Sequence, residues 1–147
     1  MHIEALATCY NRVDKTLSSI SNLVEQKLPK GITLSINIID DGSTDGTFDM
    51  IKDNFPFVNI LRTNGELFWA GGMRFGWEQC IKNKSFDALL VFNDDININD
   101  DALLTMIDTM NMAKKVINNN LYVVAGAFSS LDNKTVTYGG FRRSSSW

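Results

Sequence analysis

Residues 88–95, Ala-Leu-Leu-Val-Phe-Asn-Asp-Asp, constrain this chain more than any other stretch. An apolar run stops abruptly at an amide and two carboxylates. A strand buried on both faces of a parallel sheet reads as such a continuous run. Open α/β sheets place their ligands beyond the carboxyl ends of the strands. The stretch therefore predicts a strand that delivers oxygen-bearing side chains to one edge of a sheet.

The chain before it repeats strand, loop and helix toward that same edge. Ile3 to Thr8 is short and apolar and leads into Cys9-Tyr10-Asn11-Arg12. Val13, Leu17, Ile20 and Val24 then recur at helical spacing, which predicts a helix over 13–26. Asp14 in its first turn suits the positive end of the helix dipole. Pro29-Lys30-Gly31 turns the chain back.

A second strand, Leu34 to Ile39, runs into Asp40-Asp41-Gly42-Ser43-Thr44-Asp45-Gly46-Thr47. The glycines admit backbone angles closed to other residues. Ser43 or Thr44 can cap the helix that carries Phe48, Met50 and Ile51. Asp40 and Asp41 have two readings. They are turn and cap residues, or one of them accepts hydrogen bonds from a base or ribose at the strand end.

Val58 to Leu61 is a third strand, followed by Arg62-Thr63-Asn64-Gly65 and the aromatic segment Leu67-Phe68-Trp69. A helix starting near Gly71 would carry Met73, Trp77 and Ile81, and free amides at its start could meet a diphosphate. Arg74 suits a phosphate or a local carboxylate equally, and Trp69 a lid or core filling. The segment is not the phosphate loop of nucleotide hydrolases. The first strand is not followed by the glycine pattern of dinucleotide folds.

In extended chain Asn93 and Asp95 point one way and Asp94 the other. Asp95, with Asn93 beside it, can then face a ligand. A carboxylate would repel a diphosphate, so the workable arrangement places Mg²⁺ or Mn²⁺ between them. The competing reading is an acidic turn before the next helix, capped by Asn99 or Asp100. That helix carries Leu103, Leu104, Ile107, Met110 and Met112 as core. Asn118-Asn119-Asn120 is a turn, Tyr122 to Phe128 reads as a central strand, Asp132-Asn133-Lys134 as a hairpin-like turn, and Thr135 to Tyr138 as a short strand.

A length of 147 residues fits one domain, 1–147, and 44% hydrophobic residues suit a packed core. With net charge −3 and scattered Lys and Arg, no nucleic-acid partner is expected. No apolar run approaches the roughly 18 residues of a membrane span. The N-terminus lacks the features of a secretion signal. Cys9 and Cys80 match no metal or redox spacing and read as reduced core thiols, which points to the cytoplasm.

Four pieces carry a resemblance: Thr8-Cys9-Tyr10-Asn11-Arg12, the Asp40 to Thr47 loop, Asn64-Gly65 with Trp69-Ala70-Gly71-Gly72, and Asn93-Asp94-Asp95. In this order, each at a strand end, they resemble the inverting family 2 of nucleotide-sugar glycosyltransferases. The likeness runs from residue 3 to Phe141. It implies an α/β fold of GT-A type, a Rossmann-like, mostly parallel sheet flanked by helices. It implies donor-binding residues Thr8, Tyr10, Asn11, Arg12, Asp40, Asp41, Asn64, Gly71, Gly72, Asn93 and Asp94, with Asp95 as ligand of Mg²⁺ or Mn²⁺. The first position of the Asp-x-Asp motif is here the amide Asn93, which leaves Asp95 as the main expected metal ligand. The aromatic, glycine-rich stretch at 68–72 resembles members that transfer rhamnose or related deoxysugars.

The implied partners are a nucleotide-diphosphate sugar and a saccharide or lipid-linked acceptor. Association with the inner membrane face, or a homo-oligomer, is compatible with this. Such enzymes hold their general base in an acceptor-side half, expected here beyond Trp147, so the chain reads as the donor half of a transferase. Two rivals stand beside that reading. One is a nucleotidyltransferase, which would carry a basic, glycine-rich loop in place of Cys9-Tyr10-Asn11-Arg12. The other is a donor-binding fragment without turnover.

Overall fold

A computed structural model describes residues 1–83, 85–116, 123–130 and 135–138. It comprises two compact units, Met1–Asp100 and Asp101–Trp147.

In the first unit, β1 (His2–Cys9), α1 (Val13–Val24), β2 (Thr33–Asp40), α2 (Thr47–Asn54), β3 (Asn59–Arg62), α3 (Phe68–Asn83) and β4 (Ala88–Val91) alternate along the chain. The four strands form one parallel sheet in the order β3-β2-β1-β4. Parallel neighbours require helical crossovers, and those crossovers are right-handed. Two successive steps in one direction put α1 and α2 on one face, where they touch each other. The return past β1 to β4 puts α3 on the opposite face. The strand order thus reverses between β1 and β4. A crevice opens there between the loops that leave the two strands.

The pleat assigns the side chains. Glu4, Leu6 and Thr8 share one face of β1, and Ala5, Ala7 and Cys9 the other. Leu6, Ile39 and Met73 form a buried cluster, with Phe75 and Leu89 packed against it. The helix sits close because it carries glycine where it crosses the sheet. A Cβ at Gly76 would fall 2.5 Å from Leu6 Cδ1, and one at Gly72 would fall 2.5 Å from Thr8 Cγ2. Ala5, Ala7, Ile36, Ile38, Ile20 and Ile51 are buried as well. Each fully buried Ile stabilises the fold by about 2 kcal/mol. The amino-terminal part of the α3 face is polar. Buried Glu4 there accepts from Asn37 Nδ2 and lies 3.0 Å from His2 Nε2.

Several local expectations shift. The first helix ends at Val24, two residues short of Gln26, and the third strand is displaced by one residue. Neither Ser43 nor Thr44 caps α2. Its N-cap is Gly46, in the left-handed region at φ 89°, and Asp45 Oδ1 accepts the Thr47 amide at 3.0 Å. The third helix begins at Phe68 rather than near Gly71, so the Gly71 amide already donates to Leu67 O.

In the second unit, α4 (Ala102–Val116) buries Leu103 and Ile107. Asp101, rather than Asn99 or Asp100, directly precedes it. The strands β5 (Phe128–Ser129) and β6 (Val136–Tyr138) pair antiparallel with each other. The expected central strand over 122–128 does not form across 123–127, and Val123 is 94% exposed. Its Ala-Gly-Ala middle offers a sheet little side-chain surface to pack. Tyr122, the turns at 118–120 and 132–134, and residues 139–147 lie outside the described residues. Among the described residues no helix is long and apolar enough to cross a membrane.

Candidate functional site

At the carboxyl end of the sheet lies a cavity of about 280 Å³, lined by Thr8, Cys9, Tyr10, Arg12, Asp41, Gly65, Phe68, Trp69 and Asp94. These residues come from the end of β1, from the loops after β1, β2, β3 and β4, and from the start of α3.

The loop after β1 is fixed from below. Asn11 adopts φ 49°, a left-handed conformation that asparagine tolerates better than most residues. Its amide donates to Ser43 Oγ at 2.9 Å, and its Oδ1 accepts the Thr44 amide at 2.7 Å. Asn11 therefore ties the first loop to the second. Its neighbours Tyr10 and Arg12 are left to face the cavity.

Asp40 and Asp41 divide their labour. Asp40 is buried beneath the site, with Oδ1 accepting the Ser43 amide at 3.0 Å and Oδ2 3.6 Å from Arg62 Nε. Asp41 reaches the cavity wall. Its Oδ1 accepts from Thr63 Oγ1 at 2.6 Å and from the Leu67 amide at 3.3 Å, and its Oδ2 from the Phe68 amide at 2.7 Å. Burial opposes the charge of Asp41. Hydrogen bonds from Thr63, Phe68, Leu67 and Gly65 prevail and hold its carboxyl below the usual range. Asp41 thus caps α3, a cap residue as one reading of the sequence had it, though for the later helix. Gly42 makes this possible: at φ 76° it carries no Cβ, which would fall 2.8 Å from Gly65 N.

The acidic loop after β4 departs from simple alternation. The strand ends at Val91, and Asp94 and Asp95 occupy a turn. Asp94 is the buried member and lines the cavity; Asn93 and Asp95 are exposed and off its wall. Asp94 Oδ2 lies 3.2 Å from Thr16 Oγ1. Arg12 Nη1 donates to Asp95 Oδ2 at 2.8 Å and lies 3.5 Å from Asp94 Oδ1. Burial raises the Asp94 carboxyl above the usual range; Arg12 and Thr16 resist that rise and Asp95 adds to it.

Of the residues singled out from sequence, Thr8, Tyr10, Arg12, Asp41, Trp69 and Asp94 converge on the wall, and Trp69, 56% exposed, is not core filling. Asn64 instead donates to Glu66 Oε2 at 3.0 Å. Gly71 and Gly72 lie within α3, where Gly72 serves the close contact with Thr8. Sequence reasoning missed Cys9, Gly65 and Phe68 as wall residues. Burial, then the charges of Asp40, Asp94 and Asp45, push the Cys9 thiol far up and disfavour its thiolate. Phe68 carries a left-handed backbone, φ 53°, which no sequence rule assigns to a bulky residue.

Among the described residues no cluster of three or more His, Cys, Asp or Glu side chains could hold a metal ion. The oxygen donors of Asn93, Asp94 and Asp95 have the right chemistry for a hard cation, and Mg²⁺ usually takes only one or two carboxylates beside substrate phosphates and water. The set fits a cation shared with a diphosphate and does not fit one caged by protein alone.

Comparison with known proteins agrees with the fold. The chain spans about a quarter of the length of the curated relatives it matches. Poly-beta-1,6-N-acetyl-D-glucosamine synthase of Staphylococcus aureus (strain MSSA476) is 32% identical over 111 residues, covering 72% of this chain and 24% of the relative. The Staphylococcus epidermidis protein of the same name is 30% identical over 111 residues, with the same coverage of both chains. Among solved structures, S. aureus TarS 1-349 in complex with UDP-GlcNAc superposes with a TM-score of 0.63 at 19% identity, over 78% of this chain and 32% of that one. The mannosyltransferase PcManGT of Pyrobaculum calidifontis, in complex with GDP-Man and Mn²⁺, gives 0.58 at 16% identity, over 71% and 31%. The fold is the mixed α/β, GT-A type of nucleotide-sugar transferases. The model of glycosyl transferase family 2 matches residues 5–139, and the chain belongs to that family.

Proposed function

We propose that this chain holds the nucleotide-sugar donor of an inverting glycosyltransferase. One observation carries the reading: Tyr10, Arg12, Asp41 and Asp94, from three different strand-end loops, meet around one cavity at the point where the strand order reverses. Tyr10 offers an exposed ring against which a base can stack. Asp41, kept ionised by its donors, can accept from a base or ribose. Thr8 Oγ1 is buried without a hydrogen-bond partner among the described residues, and a ligand reaching the wall would supply one. Asp95, with Asn93 and Asp94 beside it, would hold Mg²⁺ or Mn²⁺ jointly with the diphosphate. When bound, such a cation offsets charge on the departing nucleoside diphosphate.

An acceptor hydroxyl would attack the anomeric carbon from the side opposite the diphosphate, giving inversion. A general base must take its proton. The wall carboxylates are poorly suited to this. Asp41 is engaged by several donors, and Asp94 is tied to Thr16 and Arg12. We assign the base to neither. The partners are then a nucleotide-diphosphate sugar and a saccharide or lipid-linked acceptor, handled in the cytoplasm or at its membrane face. The relatives turn attention to UDP-GlcNAc and GDP-mannose as donors, and the aromatic stretch at 68–72 to a nucleotide-activated rhamnose or related deoxysugar, for which dTDP-rhamnose serves as the probe.

A thermal-shift screen of these three donors with Mn²⁺ tests the reading, since a ligand that prefers the folded state raises the midpoint. A rise with at least one donor is expected. A folded chain indifferent to all three would refute it. A parallel transfer assay separates a transferase from a donor-binding module, which would bind without transfer or hydrolysis.

A further inference from the structure

The cavity wall carries two carboxylates, Asp41 and Asp94, with Asp95 adjoining, and Arg12 is its sole basic side chain among the described residues. A diphosphate entering this site brings more negative charge. Arg12 is half-exposed, at 49%, while its Nη1 serves Asp95 and Asp94 together. Its backbone is anchored. Arg12 O accepts the Thr16 amide at 2.9 Å, and the preceding residue is clamped to Ser43 and Thr44. The side chain can therefore swing while the loop stays in place.

We propose that Arg12 is an exchangeable counter-ion: it occupies Asp95 in the free protein, and the arriving cation displaces it onto the donor's diphosphate. This rests on the donor-site reading above. A divalent cation and a guanidinium compete for the same carboxylate, because Asp95 Oδ2 cannot give its strongest contact to both. The planar fork of Arg, released from Asp95, matches a phosphate in two-pronged fashion. The exchange couples the two ligands. The cation frees the guanidinium that the diphosphate needs, and the diphosphate completes the cation's oxygen shell. Arg12 here is a positioning residue that sets the order and strength of ligand binding.

The test measures two affinities in the full 147-residue chain. Free Mn²⁺ is followed by electron paramagnetic resonance without nucleotide, and UDP binding by calorimetry at saturating Mn²⁺. Arg12→Gln should bind Mn²⁺ alone about fivefold more tightly, the scale of one half-exposed ion pair, and UDP about tenfold more weakly. Arg12→Lys, which keeps the charge without the fork, should leave the affinity for Mn²⁺ alone near wild type and still weaken UDP. A merely structural role for Arg12 would lower both affinities together, and that result would overturn the proposal. Unchanged Mn²⁺ affinity in Arg12→Gln would overturn it too. Failure of the donor-site reading looks different: neither wild type nor variant would bind UDP at any Mn²⁺ concentration.

Discussion

Asp41 Oδ2 accepts the backbone amide of Phe68 at 2.7 Å, and Phe68, 77% exposed, is held there on the cavity wall with φ 53°. A left-handed backbone costs a bulky residue about 1–2 kcal/mol. The carboxylate offsets that cost by satisfying the first amides of α3. The aromatic lip is thus imposed by an acidic side chain from a different loop.

Two substitutions separate the halves of this arrangement. Asp41→Ala leaves the Thr63, Leu67 and Phe68 donors without their acceptor and should destabilise the fold by about 1–3 kcal/mol. Phe68→Gly removes a ring with little buried area and relieves the backbone. It should leave stability unchanged or raise it by up to about 1 kcal/mol while weakening donor binding. Urea unfolding with a donor titration checks both. Equal destabilisation by the two changes would contradict the account.

The two wall carboxylates should respond oppositely to acid. The Asp41 carboxyl is lowered in the folded state, so its contribution is complete above the unfolded value of about 3.9 and is lost as pH falls through the folded value. The Asp94 carboxyl is raised, so its ionisation opposes folding at neutral pH, and that opposition is relieved as pH falls through the raised value. Asp94→Asn should therefore be more stable relative to wild type at pH 7 than at pH 4. Unfolding curves at the two pH values give the difference, and a relative gain that grows toward acid would contradict the sign.

Helix-to-sheet contact should be sensitive to single methyl groups. Gly72→Ala and Gly76→Ala each place a Cβ 2.5 Å from a side-chain carbon of β1 and should cost about 1–3 kcal/mol. At Gly126 a Cβ meets nothing within 4 Å among the described residues, so Gly126→Ala should change stability by less than about 0.5 kcal/mol. Chemical denaturation of the three variants checks this ranking.

The sheet was legible because parallel strands announce themselves as apolar runs. Ile3 to Thr8, Leu34 to Ile39 and the run at Ala88 each lie at or near an observed strand. The loops were legible as chemistry but less so as geometry. Alternation placed Asp95 toward a ligand, yet β4 ends at Val91 and a turn brings Asp94 inward. Asp41 was visible as a carboxylate at a strand end. Its capping of α3 was not, because its donors lie more than twenty residues away, in Thr63, Leu67 and Phe68. Gly71 and Gly72 suggested a helix start whose free amides could meet a diphosphate, but the helix had already begun, and Gly72 answers instead to the Thr8 side chain across the layer. The run at 122–128 misled because apolar character alone does not supply a pairing partner.

On the proposed function, the loops after β1, β2 and β4 form one cation-dependent donor site. Calorimetric titration of UDP-GlcNAc, GDP-mannose and dTDP-rhamnose with and without Mn²⁺, into wild type and Asp95→Ala, tests it most directly. At least one donor should bind wild type more tightly with Mn²⁺, and Asp95→Ala should lose that enhancement while keeping its fold. Binding of none of the three by a folded chain, or Mn²⁺ enhancement that survives in Asp95→Ala, would contradict it.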